Sequence, residues 1–130
     1  MNRTTYPSQN LGLGRVYVEF SFTTNNTATP LTSTIDGIPT SFVASFNRTG
    51  VGVIVVTLTD SFNKCITATA DLDDTANDGA YATVGNIANE GTSSGLTFTI
   101  RTRAAAGTLA DFTGRKCNVL LALRNTTAGK

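Results

Sequence analysis

FNRTGVGVIVVTLTD, Phe46 to Asp60, is the stretch whose reading decides the fold. Asn47, Arg48, Thr49 and Gly50 make a polar turn that feeds an apolar, β-branched run. Alternate side chains of a strand point to opposite faces, so Ile54, Val56 and Leu58 share one face and Val53, Val55 and Thr57 the other. Both faces therefore need at least partial cover. The run is too short and too rich in valine for a helix, and turn residues bound it on both sides. It reads as the central strand of a β-sandwich, or as a strand buried between a core and a partner subunit.

On the N-terminal side, Arg15 to Thr23 (RVYVEFSFT) alternates cleanly, with Val16, Val18, Phe20 and Phe22 on one face and Tyr17, Glu19 and Ser21 on the other. That pattern belongs to a sheet with one buried and one wet face. Asn25 to Pro30 reads as a loop. Leu31 to Ile35 predicts a short strand, which Pro30 confines to an edge. Asp36-Gly37 signals a turn. Ser41 to Phe46 predicts a strand with Phe42, Ala44 and Phe46 aligned.

On the C-terminal side, Asp60 to Lys64 reads as a turn or a single helical turn. Cys65 to Leu72 predicts a strand with Ile66, Ala68, Ala70 and Leu72 inward, and Ala80 to Ile87 a further strand. Leu96 to Arg103 places Leu96, Phe98 and Ile100 inside and Thr97, Thr99, Arg101 and Arg103 outside. Ala104 to Gly107 suggests a bulge or tight turn, and Leu109 to Phe112 a short helical turn. The last strand, Cys117 to Arg124, is apolar on both faces. About eight short strands with turns between them fit an all-β antiparallel β-sandwich of jelly-roll type. Two strands with two apolar faces imply an oligomer seam or a covering loop, and the seam is the favoured reading. Residues 1–14 form the expected extended N-terminal arm and 15–130 the single sandwich domain.

Size and composition agree with one domain. A chain of 130 residues buries roughly two thirds of its unfolded surface. Threonine, serine, asparagine and glycine are abundant, and threonine suits a pleated, half-exposed surface. The formal net charge is only +1, which leaves no basic footprint for nucleic acid. MNRTTYPSQN lacks an apolar core, so neither a signal peptide nor a membrane anchor is expected there. The sequons at Asn2, Asn25, Asn47 and Asn125 then carry no weight as glycosylation sites. Cys65 and Cys117 are read as buried free thiols in preference to a disulfide.

The inventory of chemistry is thin. The chain has no histidine, which excludes a Ser–His–Asp triad, a Cys–His pair and an HExxH zinc site. No P-loop is present, and the two glutamates, Glu19 and Glu90, do not make an evident glycosidase pair. No enzyme activity, cofactor or small-molecule substrate is expected. Asp71, Asp73, Asp74 and Asp78 lie close together in DLDDTANDG, but their spacing fails the EF-hand pattern, and a solvated acidic turn is the plainer reading. Arg101 and Arg103 share an outward face, and Arg115-Lys116 precedes the last strand. Such residues are commonly solvated edge charges; contact with an acidic partner is the functional alternative.

FNRTGVGVIVVTLTDSFNK, followed after a gap by LTFTIRTRAAAGTLADFTGRKCNVLLALRNT, resembles the capsid decoration, or cement, proteins of tailed bacteriophages. The shared pattern is R-T-G-x-G-x-x-x-V-T-L, then a strand ending in Arg, a small-residue turn, an Asp, and a final apolar strand ending L-R-N. It covers about the last two thirds of the chain. The resemblance implies a sandwich or jelly-roll subunit, trimeric, on the capsid surface of a virion assembled in the host cytoplasm. Its partner would be the major capsid protein, whose neighbouring copies it bridges. No active site comes with the resemblance. The arm, with Leu11, Leu13 and Arg15, lies outside the pattern; a strap over the coat subunit is the role inferred for it. Val53, Val55, Arg101, Arg103, Arg115 and Lys116 complete the candidate protein interface. The alternative is a tail-fibre or receptor-binding domain for a host glycan, with Tyr6, Tyr17 and Tyr81 as stacking candidates.

Overall fold

Seven of the alternating segments become strands, in two antiparallel sheets. A computed structural model of the chain describes residues 14–25 and 35–124. The strands are β1 (Arg15–Thr23), β2 (Val43–Gly50), β3 (Val53–Leu58), β4 (Lys64–Leu72), β5 (Tyr81–Ala88), β6 (Thr97–Arg103) and β7 (Lys116–Arg124). Sheet A has the order β1-β7-β4 and sheet B the order β2-β3-β6-β5. The inward faces of both sheets merge into one core. Phe22 of sheet A meets Phe46 of sheet B with ring centroids 4.6 Å apart at 42°. Burying an aromatic ring of this kind stabilises by roughly 1.5–3 kcal/mol.

β3 is an interior strand, paired with β2 on one side and β6 on the other. Ile54, Val56 and Leu58 are buried and Val53, Val55 and Thr57 half-buried, as the alternation requires. The expected turn lies elsewhere, however. Asn47 to Gly50 continue β2, and the chain reverses at Val51-Gly52. Gly52 has a φ of 66°, and a Cβ there would stand 2.6 Å from the Thr102 carbonyl oxygen. Only glycine fits both the left-handed backbone and this approach.

Other expectations change because bulges shift the alternation. Thr40–Phe42 is a single 3-10 turn, and β2 is irregular between Val43 and Ser45. Val43 and Phe46 are therefore the buried residues, Phe42 is half-buried and Ala44 is exposed. In β4 the register shifts between Cys65 and Thr67, so Cys65 turns toward the core and Ile66 outward, 40% exposed. Asp60 to Lys64 forms no helical turn. Leu109 to Phe112 is not helical either: Leu109 bridges Arg103 and the Ala110 amide donates to the Thr102 carbonyl. The arm residues 1–13, the residues 31–34 of the expected edge strand and the tail 125–130 lie outside the described residues.

Candidate binding surfaces

Carboxylates pin the connections between strands. Asp111 accepts from Arg48 Nε at 3.0 Å and Nη2 at 2.6 Å, and from the Gly52 amide at 2.8 Å. These donors, the arginine first, hold its carboxyl below the usual carboxylate range. The motif R-T-G-x-G and the later Asp thus meet as a clamp on the β2–β3 hairpin. Asp78 accepts from Arg115 at 3.0 and 2.5 Å and from the Ala80 amide, and Arg115 holds its carboxyl well below the usual range. The Arg115 guanidinium also lies 4.8 Å from the Phe112 ring centroid. Glu90 accepts from the Cys65 amide at 2.6 Å, with Lys64 Nζ 3.8 Å away.

This assigns the acidic stretch a local task. Asp74 accepts from the Asp78 and Gly79 amides and Asp78 is engaged by Arg115, so both close the β4–β5 connection. Asp71 stands apart on the outward face of β4. Among the described residues, no three His, Cys, Asp or Glu side chains converge as metal ligands would. The two cysteines are free. Cys65 is in register with Leu123, six residues along β7 from Cys117, or ~20 Å at ~3.4 Å per residue. No disulfide spans that distance.

The outer face of sheet B gathers four of the candidate interface residues. Val53 pairs with Arg101 and Val55 with Thr99, while Arg103 pairs with Tyr81 on β5. Arg101 lies over Gly85, where a Cβ would come within 3.2 Å of its Nη1. Arg103 donates to the Gly107 carbonyl at 2.8 Å, which leaves it partly tethered. Arg115 is committed to Asp78, and Lys116 is exposed at the start of β7. Leu11 and Leu13 lie outside the described residues.

Arg15 belongs to a different surface, the outer face of sheet A. Its cross-strand rows read Arg15–Arg124–Lys64, Tyr17–Ala122–Thr67, Glu19–Leu120–Thr69 and Ser21–Asn118–Asp71. Asp36 bridges Ser21 at the free edge of β1. A trough of about 470 Å³ opens over the last two rows, lined by Glu19, Ser21, Asp36, Asp71, Asn118 and Leu120 among others. Leu120 is 39% exposed on its floor. The sequence carried one signal of this surface, the apolar residues on both faces of the last strand. The place of Asp36 beside Ser21 left no trace, because it depends on a tertiary pairing.

Among the described residues no helix is long and apolar enough to cross a membrane. No protein-family model, curated protein or solved structure matches the chain.

Proposed function

We propose that the protein is a virion structural protein, a capsid decoration or cement subunit that binds the outside of a phage head and bridges neighbouring coat subunits. The observation that carries this reading is the outer face of sheet B. There Val53 and Val55, half-buried and away from the core, stand in register with Arg101 and Thr99. An apolar pair with Arg101 beside Val53 suits a protein partner with acidic groups beside an apolar patch. The sequence resemblance supplies the identity of that partner, the major capsid protein. Three copies are what the resemblance implies, but bridging does not depend on three copies rather than two.

The proposal includes a jelly-roll-like wrap. β1 lies beside β7 and β3 beside β6, with β4 beyond β7 and β5 beyond β6. That order supports a folded-ribbon wrap with fewer strands than the eight of a jelly roll and with β2 added at an edge.

The test is addition of the purified protein to expanded capsids that lack decoration. Binding that raises capsid melting temperature, and its loss in Val53→Asp/Arg101→Glu, is the expected result. Capsids left unbound and unchanged would overturn the reading. The glycan alternative draws on Tyr17, 57% exposed, and Tyr81, 38% exposed. These rings sit on different sheets and make no shared stacking platform, so saturable binding on a glycan array is the outcome that would favour it.

A further inference from the structure

The outer face of sheet A is polarised along its strands. Arg15, Arg124 and Lys64 make a basic row at one end, with Glu90 close to Lys64. Two rows further, Glu19 begins an acidic end that Asp71 and Asp36 complete. Between them lie Tyr17, Ala122 and the exposed Leu120. Beyond the acidic end, Lys116 is the one positive charge on this face among the described residues. Ser21 is nine-tenths buried at the trough, where its backbone pairs with Asp36.

We infer that this face pairs with the same face of a second copy about a twofold axis lying in the interface, perpendicular to the strands. Such an axis reverses the strand direction and keeps the order of strands across the face. It sets the basic row of each copy over the acidic end of the other. Arg15 of one copy then enters the trough beside Asp36, Glu19 and the Ser21 hydroxyl, and Lys64 faces Asp71. Leu120 lies over Ala122 at the centre, with Tyr17 beside them. The alternative axis, parallel to the strands, sets like charges opposite each other and is disfavoured. A twofold contact uses one self-complementary patch twice, which is what a face with opposite ends and an apolar middle provides. The contact goes beyond the capsid reading and stands without it, and it gives an even copy number in place of the three implied by resemblance.

The four rows measure ~20 Å along the strands and three strands ~14 Å across. That footprint is smaller than the ~800 Å² per partner of a standard interface, so the pair is weak and strongly salt-dependent. On a lattice, where neighbouring copies raise each other's effective concentration, a weak pair suffices.

Sedimentation velocity of the full chain over a range of concentrations at low salt tests the inference. The wild type is expected to show a monomer–dimer equilibrium that disappears at about 1 M salt, where screening acts within ~3 Å. Arg15→Asp and Asp36→Arg each weaken dimerisation by about tenfold or more. The Arg15→Asp/Asp36→Arg swap restores it to near the wild-type level, because each copy again offers opposite charges. Both positions are exposed, and circular dichroism confirms that the variants keep the sheet signal. A wild type that is monomeric or trimeric throughout overturns the inference, as does a dimer indifferent to both single changes or a swap that fails to rescue. A monomer whose trough instead binds a lysine-rich peptide also overturns it, and assigns the face to a foreign basic partner.

Discussion

Asp111 accepts three hydrogen bonds from β2 and the hairpin turn, and its charge is part of how the hairpin is held. Its carboxyl titrates below the ordinary value when folded, so this contribution is complete above about pH 4 and fades as pH falls through the lower folded value. Asp111→Asn is expected to begin less stable at neutral pH and to lose less than the wild type on acidification, read from denaturant midpoints. Parallel losses in both proteins would disprove the assignment. Cys117 has the opposite sign. Burial pushes its thiol up to about 12, so stability falls as pH rises above the unfolded value near 8.5, by at most ~1.4 kcal/mol per pH unit. Cys117→Ala is expected to remove that slope, and equal alkaline slopes would refute it. The sequence showed Arg48 and Asp111 as letters of one pattern. That they clasp each other across 63 residues of chain follows only from the folded path.

At the scale of elements, close backbone approach matters as much as apolar burial. A Cβ on Gly95 would stand 1.9 Å from the Leu58 carbonyl oxygen, at the point where β3 hands over to the loop before β6. Gly95→Ala is expected to cost well above the ~1 kcal/mol of an average substitution, measured by chemical denaturation; a neutral variant would show that the two segments part easily. The β4 bulge makes a contrasting prediction. Ile66 points outward, so Ile66→Thr should change stability by less than about 0.5 kcal/mol. Leu58→Ala, in the core, should cost about 2–5 kcal/mol. A large loss at Ile66 would restore the inward reading that simple alternation suggested. Alternation was enough to recognise β1, β3 and β6, whose inward residues are buried as the pattern requires, but Ser21 and Thr99, expected on the wet face, are buried as well because neighbouring segments cover them. It failed in β2 and at the start of β4, where one extra residue turns Cys65 inward in place of Ile66 while Ala68, Ala70 and Leu72 keep the expected face.

The molecule as a whole is two sheets around one core, without a covalent crosslink. Its melting temperature is expected to be the same with and without a thiol reductant, since Cys65 and Cys117 sit near opposite ends of the β4–β7 pair; a reductant-dependent shift would mean that the strands pair in another register. The sequence alone determined that the protein is all-β, which segments form strands, and that β3 and β7 carry apolar groups on both faces. Those properties are local, because each depends on neighbours along the chain and on a period of two. The tertiary structure alone decided that the chain turns at Val51-Gly52, that the aspartates of the acidic loop serve turns and an arginine, and that Asp36 joins Glu19 and Asp71 on one face of sheet A. Each of these depends on register and on which strands become neighbours. Contacts between residues far apart in the chain set both, and no short window of sequence contains them.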